Sequence, residues 1–204
     1  MLTFYYAAGS AAIPVHILLE DVGAEYQAER IDFAKQEQKS PEYLAINPKG
    51  RVPALVTPEG VVTEVTALLV YIAQCYPQQD LIPSDAFGLA KAQEFNAYLS
   101  STVHVAHAHK QRGSRWSDDP SAHESMKAKV AENMAECGRV VETHYFQGPW
   151  VLGEHYSICD PYLYWMGRLM INDGVPLDRF DKIRDHRERM LARPSVQKVN
   201  ELHQ

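Results

Sequence analysis

Every strand signal in this 204-residue chain lies before residue 64, and everything after residue 84 reads as helix or loop. That asymmetry constrains the fold more than any single motif, because the first part alone must build the sheet. Leu2 to Tyr6 is an apolar, aromatic run of strand length. Ala7-Ala8-Gly9-Ser10 interrupts it, and Ser10 is a candidate N-cap for a helix from Ala11 to about Val22, closed by Gly23. Tyr26 to Ile31 is a second strand. Ser40-Pro41 opens a short helix that ends near Asn47. Ala54 to Val56 and Val61 to Thr63 flank the turn Pro58-Glu59-Gly60 as a hairpin. Helix resumes near Thr66 and runs to Tyr76. Pro77 to Ser84 reads as a polar linker. Beyond it, helices are predicted over residues 87–112, 120–146, 157–171, 179–191 and 194–202.

The resulting order is β-α-β-α-β-β-α followed by helices only. The first two strands flank a helix and are expected to run parallel through a right-handed crossover, with the hairpin adding antiparallel strands. The expected division is an α/β domain over 1–76, a linker over 77–86 and an all-helical domain over 87–204. With 46% hydrophobic residues the chain can bury a core, and its formal net charge of −6 argues against a nucleic-acid partner. Three cysteines, Cys75, Cys137 and Cys159, with no CxxC, suggest neither a disulfide framework nor a zinc site and fit a reducing compartment. No signal-peptide pattern opens the chain and no run nears the ~20 apolar residues of a membrane helix. A cytoplasmic protein without membrane partners is expected.

Within the first domain, Asn47-Pro48-Lys49-Gly50-Arg51-Val52-Pro53-Ala54-Leu55-Val56 joins a turn to an apolar strand. Pro53 pushes Val52 to extended geometry, and the bond between them is open to the cis form. Such an edge can pair with a peptide backbone; it can equally be a loop entering a buried strand.

The run Leu44-Ala45-Ile46 followed by Asn47 to Leu55, together with Tyr5-Tyr6…Gly9-Ser10, Glu29-Arg30-Ile31-Asp32, Thr63-Glu64 and Ser157-Ile158-Cys159-Asp160, resembles the glutathione S-transferases along the whole chain, the bacterial beta class most closely. The resemblance implies a thioredoxin-like N-terminal domain that binds glutathione as co-substrate, and an all-helical C-terminal domain carrying the pocket for a small electrophile. It also implies a homodimer. Val52, the residue before Pro53, would pair its backbone with the cysteinyl unit. Glu64 would hold the γ-glutamyl amino group, and the helix start at Val65 and Thr66 would take the γ-glutamyl carboxylate. The family usually carries a small or hydroxyl residue at the position of Val65, so the backbone contact survives and Thr66 is the nearest replacement hydroxyl. Lys35 falls near the family's basic residue for the glycyl carboxylate. His104 matches a histidine that lines the family's site from the long helix.

The chain departs from the beta class at its catalytic cysteine. Aligning Gly9-Ser10 puts Ala11 and Ala12 where the family carries cysteine and serine, so no mixed disulfide with the protein can form there. Ser10, Tyr6 and Tyr5 remain as candidates to activate the thiol, Ser10 ahead of Tyr6. A hydroxyl donor and a helix N-terminus both favour thiolate over thiol. Ser10 is otherwise simply an N-cap. His104, His107 and His109 cluster, but no fourth-ligand pattern accompanies them, so no metal is expected. His107 and His109 read as rim or solvent residues. Ser157-Ile158-Cys159-Asp160 reads as a capping box, with Tyr162 and Trp165 in the core behind it.

The leading expectation is transfer of glutathione thiolate to a small hydrophobic electrophile. A glutathione-dependent disulfide or peroxide reductase, or a non-catalytic binder of glutathione or apolar ligands, are the alternatives.

Overall fold

The computed structural model describes residues 1–204 and divides into two compact units, Met1–Ile82 with Leu191–Gln204, and Pro83–Met190. In the first unit, β1 (Leu2–Tyr6), β2 (Tyr26–Arg30), β3 (Ala54–Thr57) and β4 (Gly60–Thr63) form one sheet in the order β2-β1-β3-β4. β1 and β2 are parallel, and β3 and β4 add antiparallel to them. The parallel pair needs a crossover, which α1 (Ile13–Asp21) supplies. α2 (Pro41–Ile46) follows β2, capped by Ser40, whose hydroxyl accepts from Tyr43 N–H at 3.1 Å. α3 (Val65–Cys75) follows β4. Phe4, Leu55, Ile17, Leu18, Leu68 and Leu69 are fully buried and make the core of this unit.

Two expectations are corrected here. α1 begins at Ile13 rather than Ala11, because Pro14 has no N–H to donate and belongs in a first turn; residues 10–12 form a separate turn closed by Ile13 N–H to Ser10 C=O at 3.2 Å. Residues 191–204, read from the sequence as part of the helical half, group with the first unit. α9 (Pro194–Leu202) packs on α1, burying Val196 and Val199. Arg193 and Ser195 both bond the Asp21 carboxylate, at 2.8 and 2.7 Å, and Lys198 pairs with Glu20 at 2.7 Å.

The α1–α9 contact encloses a polar chain. Tyr26 donates its hydroxyl proton to Glu20, so His16 Nε2–H must donate to the Tyr26 oxygen, 2.8 Å away. His16 Nδ1 is then an acceptor, and His203 Nε2–H donates to it across 3.0 Å. Protonating His16 would require the His203 proton to leave Nε2, so that this nitrogen could accept instead. Burial holds the His16 pKa down at about 4, Glu20 opposing and Lys198 assisting. The unfolded chain therefore binds the extra proton first. His16 contributes stability that is complete above pH ~6.5 and is lost as pH falls toward 4, about 3 kcal/mol in all at about 1.4 kcal/mol per unit. Urea midpoints measured between pH 7 and pH 4 are expected to fall more steeply for wild type than for His16→Gln. Parallel slopes would remove His16 from the acid limb.

The second unit is helical. It comprises α4 (Ala86–Tyr98), α5 (His104–Ala108), α6 (Pro120–Val140), α7 (Cys159–Asn172) and α8 (Asp181–Leu191), whose last residue joins the first unit. A π-turn over residues 99–103 links α4 to α5, and another over 141–145 extends α6, so each of the two longest predicted helices carries one such irregularity. α7 is buried over most of its length, with Tyr162 and Trp165 in the core. No helix of the structure is long and apolar enough to cross a membrane.

Candidate functional site

Strand register brings the candidate residues of the first unit to one end of its sheet. Tyr5 pairs with Ala54 and Ala54 pairs with Thr63. The chain leaving β1 (Tyr6 to Ser10), the chain entering β3 (Val52-Pro53) and the chain leaving β4 (Glu64-Val65-Thr66) therefore meet at the same edge. Tyr6 also pairs with Arg30, so the segment carrying Lys35 departs from this end too. It is the carboxyl end of the parallel strands, where open α/β sheets take their ligands.

The approach to β3 is held rigidly. Asn47 is buried, and its side-chain amide donates to Arg51 C=O at 2.6 Å; the Tyr43 hydroxyl donates to the same oxygen at 2.6 Å. Gly50 has φ +58°, and a Cβ there would sit 2.9 Å from Gln38 C=O, so the turn needs glycine twice over. The Val52–Pro53 peptide bond is cis. Pro53 is buried, Val52 is half-exposed, and no hydrogen bond within the chain uses the Val52 N–H or C=O. A residue with both backbone groups open, fixed by buried neighbours, can receive a short peptide strand.

Facing it is the start of α3. Glu64 holds φ +72°, ψ 128°, a backbone region that a non-glycine residue keeps only when its surroundings impose it. Its carboxylate does not cap α3. It points outward to Lys49, whose ammonium lies 2.5 Å from Glu64 Oε1 and 2.6 Å from Thr63 Oγ1. Both charged side chains are exposed, and a surface pair of this kind contributes only about 0–1 kcal/mol. Val65 is 7% exposed, so its side chain is a core anchor while its N–H heads the helix. The Val65, Thr66 and Ala67 N–H groups take no partner within the chain, as expected of a first turn without a side-chain cap. Lys49 was not singled out by sequence; a lysine in a Pro-Lys-Gly turn reads as solvated, and only the fold shows what it reaches.

The hydroxyl candidates differ sharply. Ser10 is half-exposed. Its hydroxyl donates to Ala7 C=O at 2.7 Å and accepts from Ala12 N–H at 3.2 Å, so it caps the 10–12 turn and not α1 itself. Ala7 C=O also receives Ser10 N–H at 3.2 Å, and would stay satisfied if the hydroxyl rotated away. Tyr6 is buried, with its ring 4.8 Å from His203 and 5.1 Å from His16. Tyr5 leans on Tyr43, the rings 5.6 Å apart.

Lys35 is exposed and pairs with Asp32 at 3.4 Å, just beyond β2. His104 lies in the second unit, its ring 4.9 Å from that of Trp165. The reading of His107 as a rim residue is corrected: its Nδ1 bonds the buried Asp173 carboxylate at 2.7 Å, which Lys110 also approaches at 3.1 Å, so His107 ties α5 to the end of α7. His109 stacks on Trp116, the centroids 4.1 Å apart. No group of three or more His, Cys, Asp or Glu side chains is arranged to hold a metal.

A mixed four-stranded sheet of this order, with a cis-proline leading into β3, defines a thioredoxin-like domain, here accompanied by a helical unit. The family model for the glutathione S-transferase N-terminal domain matches residues 1–74. The structure of a glutathione transferase homologue from Sulfitobacter, solved with bound glutathione, is 45% identical and superposes with a TM-score of 0.96 over 99% of this chain and 98% of that one. A glutathione S-transferase from Xylella fastidiosa is 28% identical with a TM-score of 0.89, covering 100% of this chain and 98% of its own. The glutathione S-transferase GstA of Escherichia coli O157:H7 is 26% identical over 199 residues, 96% of either chain. The chain belongs to the glutathione S-transferase family.

Proposed function

We propose that the first unit binds glutathione and that the chain transfers its thiolate to a small hydrophobic electrophile, forming a thioether. The observation that carries this reading is the convergence, at one sheet end, of an open Val52 backbone, an outward Glu64 carboxylate and the unpartnered N–H groups of Val65 and Thr66. The bound tripeptide in the Sulfitobacter homologue supports it. Val52 pairs with the cysteinyl unit, Glu64 takes the γ-glutamyl ammonium, and the α3 start takes the γ-glutamyl carboxylate. Pro53, in its cis bond, holds Val52 in place. Lys35 is the candidate for the glycyl carboxylate, and His104 keeps the ligand-binding role that the family resemblance implies. Ser10 donates to the sulfur; Tyr6, packed among imidazoles, is the alternative donor.

The chemistry asked of the protein is modest. A free thiol ionises near pH 8.5, and each unit of lowering needs about 1.4 kcal/mol. One hydrogen bond to a charged group, roughly 1.5–3 kcal/mol, supplies one to two units. With Ala11 in the cysteine position, the protein offers no thiol of its own at this end, which favours conjugation over exchange through a protein disulfide. Action as a cytoplasmic homodimer belongs to the same proposal.

The test is glutathione affinity together with the kinetics of Glu64→Gln. Glu64 holds a remote ammonium equally in the ground and transition states, which is uniform binding. The expected result is a KM for glutathione raised about fivefold with kcat preserved, as for the loss of one exposed ion pair. An unchanged KM would reject the role.

A further inference from the structure

We propose that Lys49 determines specificity for the α-carboxylate of the γ-glutamyl end, exchanging Glu64 for that carboxylate when the α-ammonium takes Glu64. The inference rests on the glutathione reading above and adds a residue to it.

The argument begins with charge. The γ-glutamyl end carries an ammonium and a carboxylate on one carbon, and a cation beside Glu64 and the α3 N–H groups strengthens the reading of that carboxylate. Lys49 and Glu64 lie 2.5 Å apart and both are open to solvent. They are distant in sequence, and each is delivered by a constrained backbone. Lys49 sits in the turn whose N–H bonds Asn47 Oδ1 at 3.2 Å, between buried Asn47 and the positive-φ Gly50. Glu64 sits at φ +72°. An ordinary surface pair needs neither constraint. Lys49 also accepts a second anchor from Thr63, since its ammonium donates to the Thr63 hydroxyl at 2.6 Å. That anchor keeps the cation beside the α3 start while its Glu64 partner is handed over. Because the pair is solvent-exposed, opening it is cheap, and both charges are satisfied before and after binding.

The experiment is calorimetric titration of the full chain with glutathione and with 4-aminobutyryl-cysteinyl-glycine, which keeps the ammonium and lacks the α-carboxylate. Wild type is expected to bind glutathione more tightly than the analogue. Lys49→Met is expected to weaken glutathione about fivefold while leaving the analogue unchanged, so that discrimination narrows by that factor and the remainder is held by the N–H groups at the start of α3; Lys49→Arg is expected to retain the full discrimination. Equal weakening of both ligands by Lys49→Met would overturn the proposal, assigning Lys49 to support of Glu64 alone. Tighter glutathione binding by the variant would overturn it too, marking Lys49 as a competitor for Glu64. If wild type binds neither ligand, the glutathione reading itself fails; if it binds glutathione and Lys49→Met binds it equally well, only the role of Lys49 fails.

Discussion

Ser10→Ala is expected to lower conjugation of glutathione to an aryl halide at neutral pH by about fivefold to thirtyfold. The size follows from an exchange of bonds. In the structure the Ser10 hydroxyl donates to Ala7 C=O at 2.7 Å, a neutral hydrogen bond of about 0.5–1.5 kcal/mol. Turning it to a thiolate gains roughly 1.5–3 kcal/mol and leaves Ala7 C=O still bonded to Ser10 N–H, so the net gain is about 1–2 kcal/mol. Alanine keeps the backbone bond and loses the donor. The deficit should shrink as pH rises past about 8.5, where glutathione ionises unaided. Absorbance of the bound thiolate against pH separates the candidates: an upward shift in Ser10→Ala with none in Tyr6→Phe supports Ser10, and the reverse assigns the role to Tyr6.

Asp160→Ala is expected to destabilise the second unit by about 3–5 kcal/mol, because two buried backbone N–H groups lose their acceptor at about 1–3 kcal/mol each. Asp160 is fully buried. One oxygen accepts Ser157 N–H at 2.7 Å and the Ser157 hydroxyl at 3.1 Å; the other accepts Val151 N–H at 2.9 Å and faces His186 Nε2 at 3.1 Å. Alanine would leave two backbone donors and an imidazole without their acceptor. Asp160→Asn retains an acceptor and should cost less. Denaturant unfolding followed by the fluorescence of Trp165, five residues along the same helix, measures both. A midpoint unchanged by Asp160→Ala would show that these bonds are dispensable.

The same residue shows how far the sequence could be read. The spacing Ser157-x-x-Asp160 announces a capping box, and the return arm from Asp160 to Ser157 N–H exists. The forward arm differs: the Ser157 hydroxyl accepts from Cys159 N–H at 3.3 Å, while Asp160 N–H bonds Ser157 C=O. The partners Val151 and His186 were invisible, since neither lies at a spacing that links it to Asp160. The succession of strands along the chain was readable because three of them are short apolar runs between turn residues and the fourth, Tyr26–Arg30, alternates; that β3 lies against β1 was not. Ser10 has N-cap chemistry and draws the predicted start of α1 to Ala11, whereas Pro14 belongs in the first turn of a helix that starts at Ile13. The place of α9 is not legible in its residues, because an amphipathic helix declares that it has a buried face and not which partner covers it. The π-turns at 99–103 and 141–145 carry no residue signal at all. Lys49 escaped notice for the reason that α9 did: its role lies in what it meets, fourteen residues away at Thr63 and fifteen at Glu64.

The central claim is that glutathione docks as a short strand on Val52 with its γ-glutamyl end at the start of α3. Backbone amide shifts of the labelled protein, recorded while glutathione is added, test it directly. Saturable shifts largest at Val52, Val65 and Thr66 are predicted, because those N–H groups pass from solvent to ligand. Saturation with these three amides unmoved, and the shifts gathered elsewhere in the chain, would contradict it.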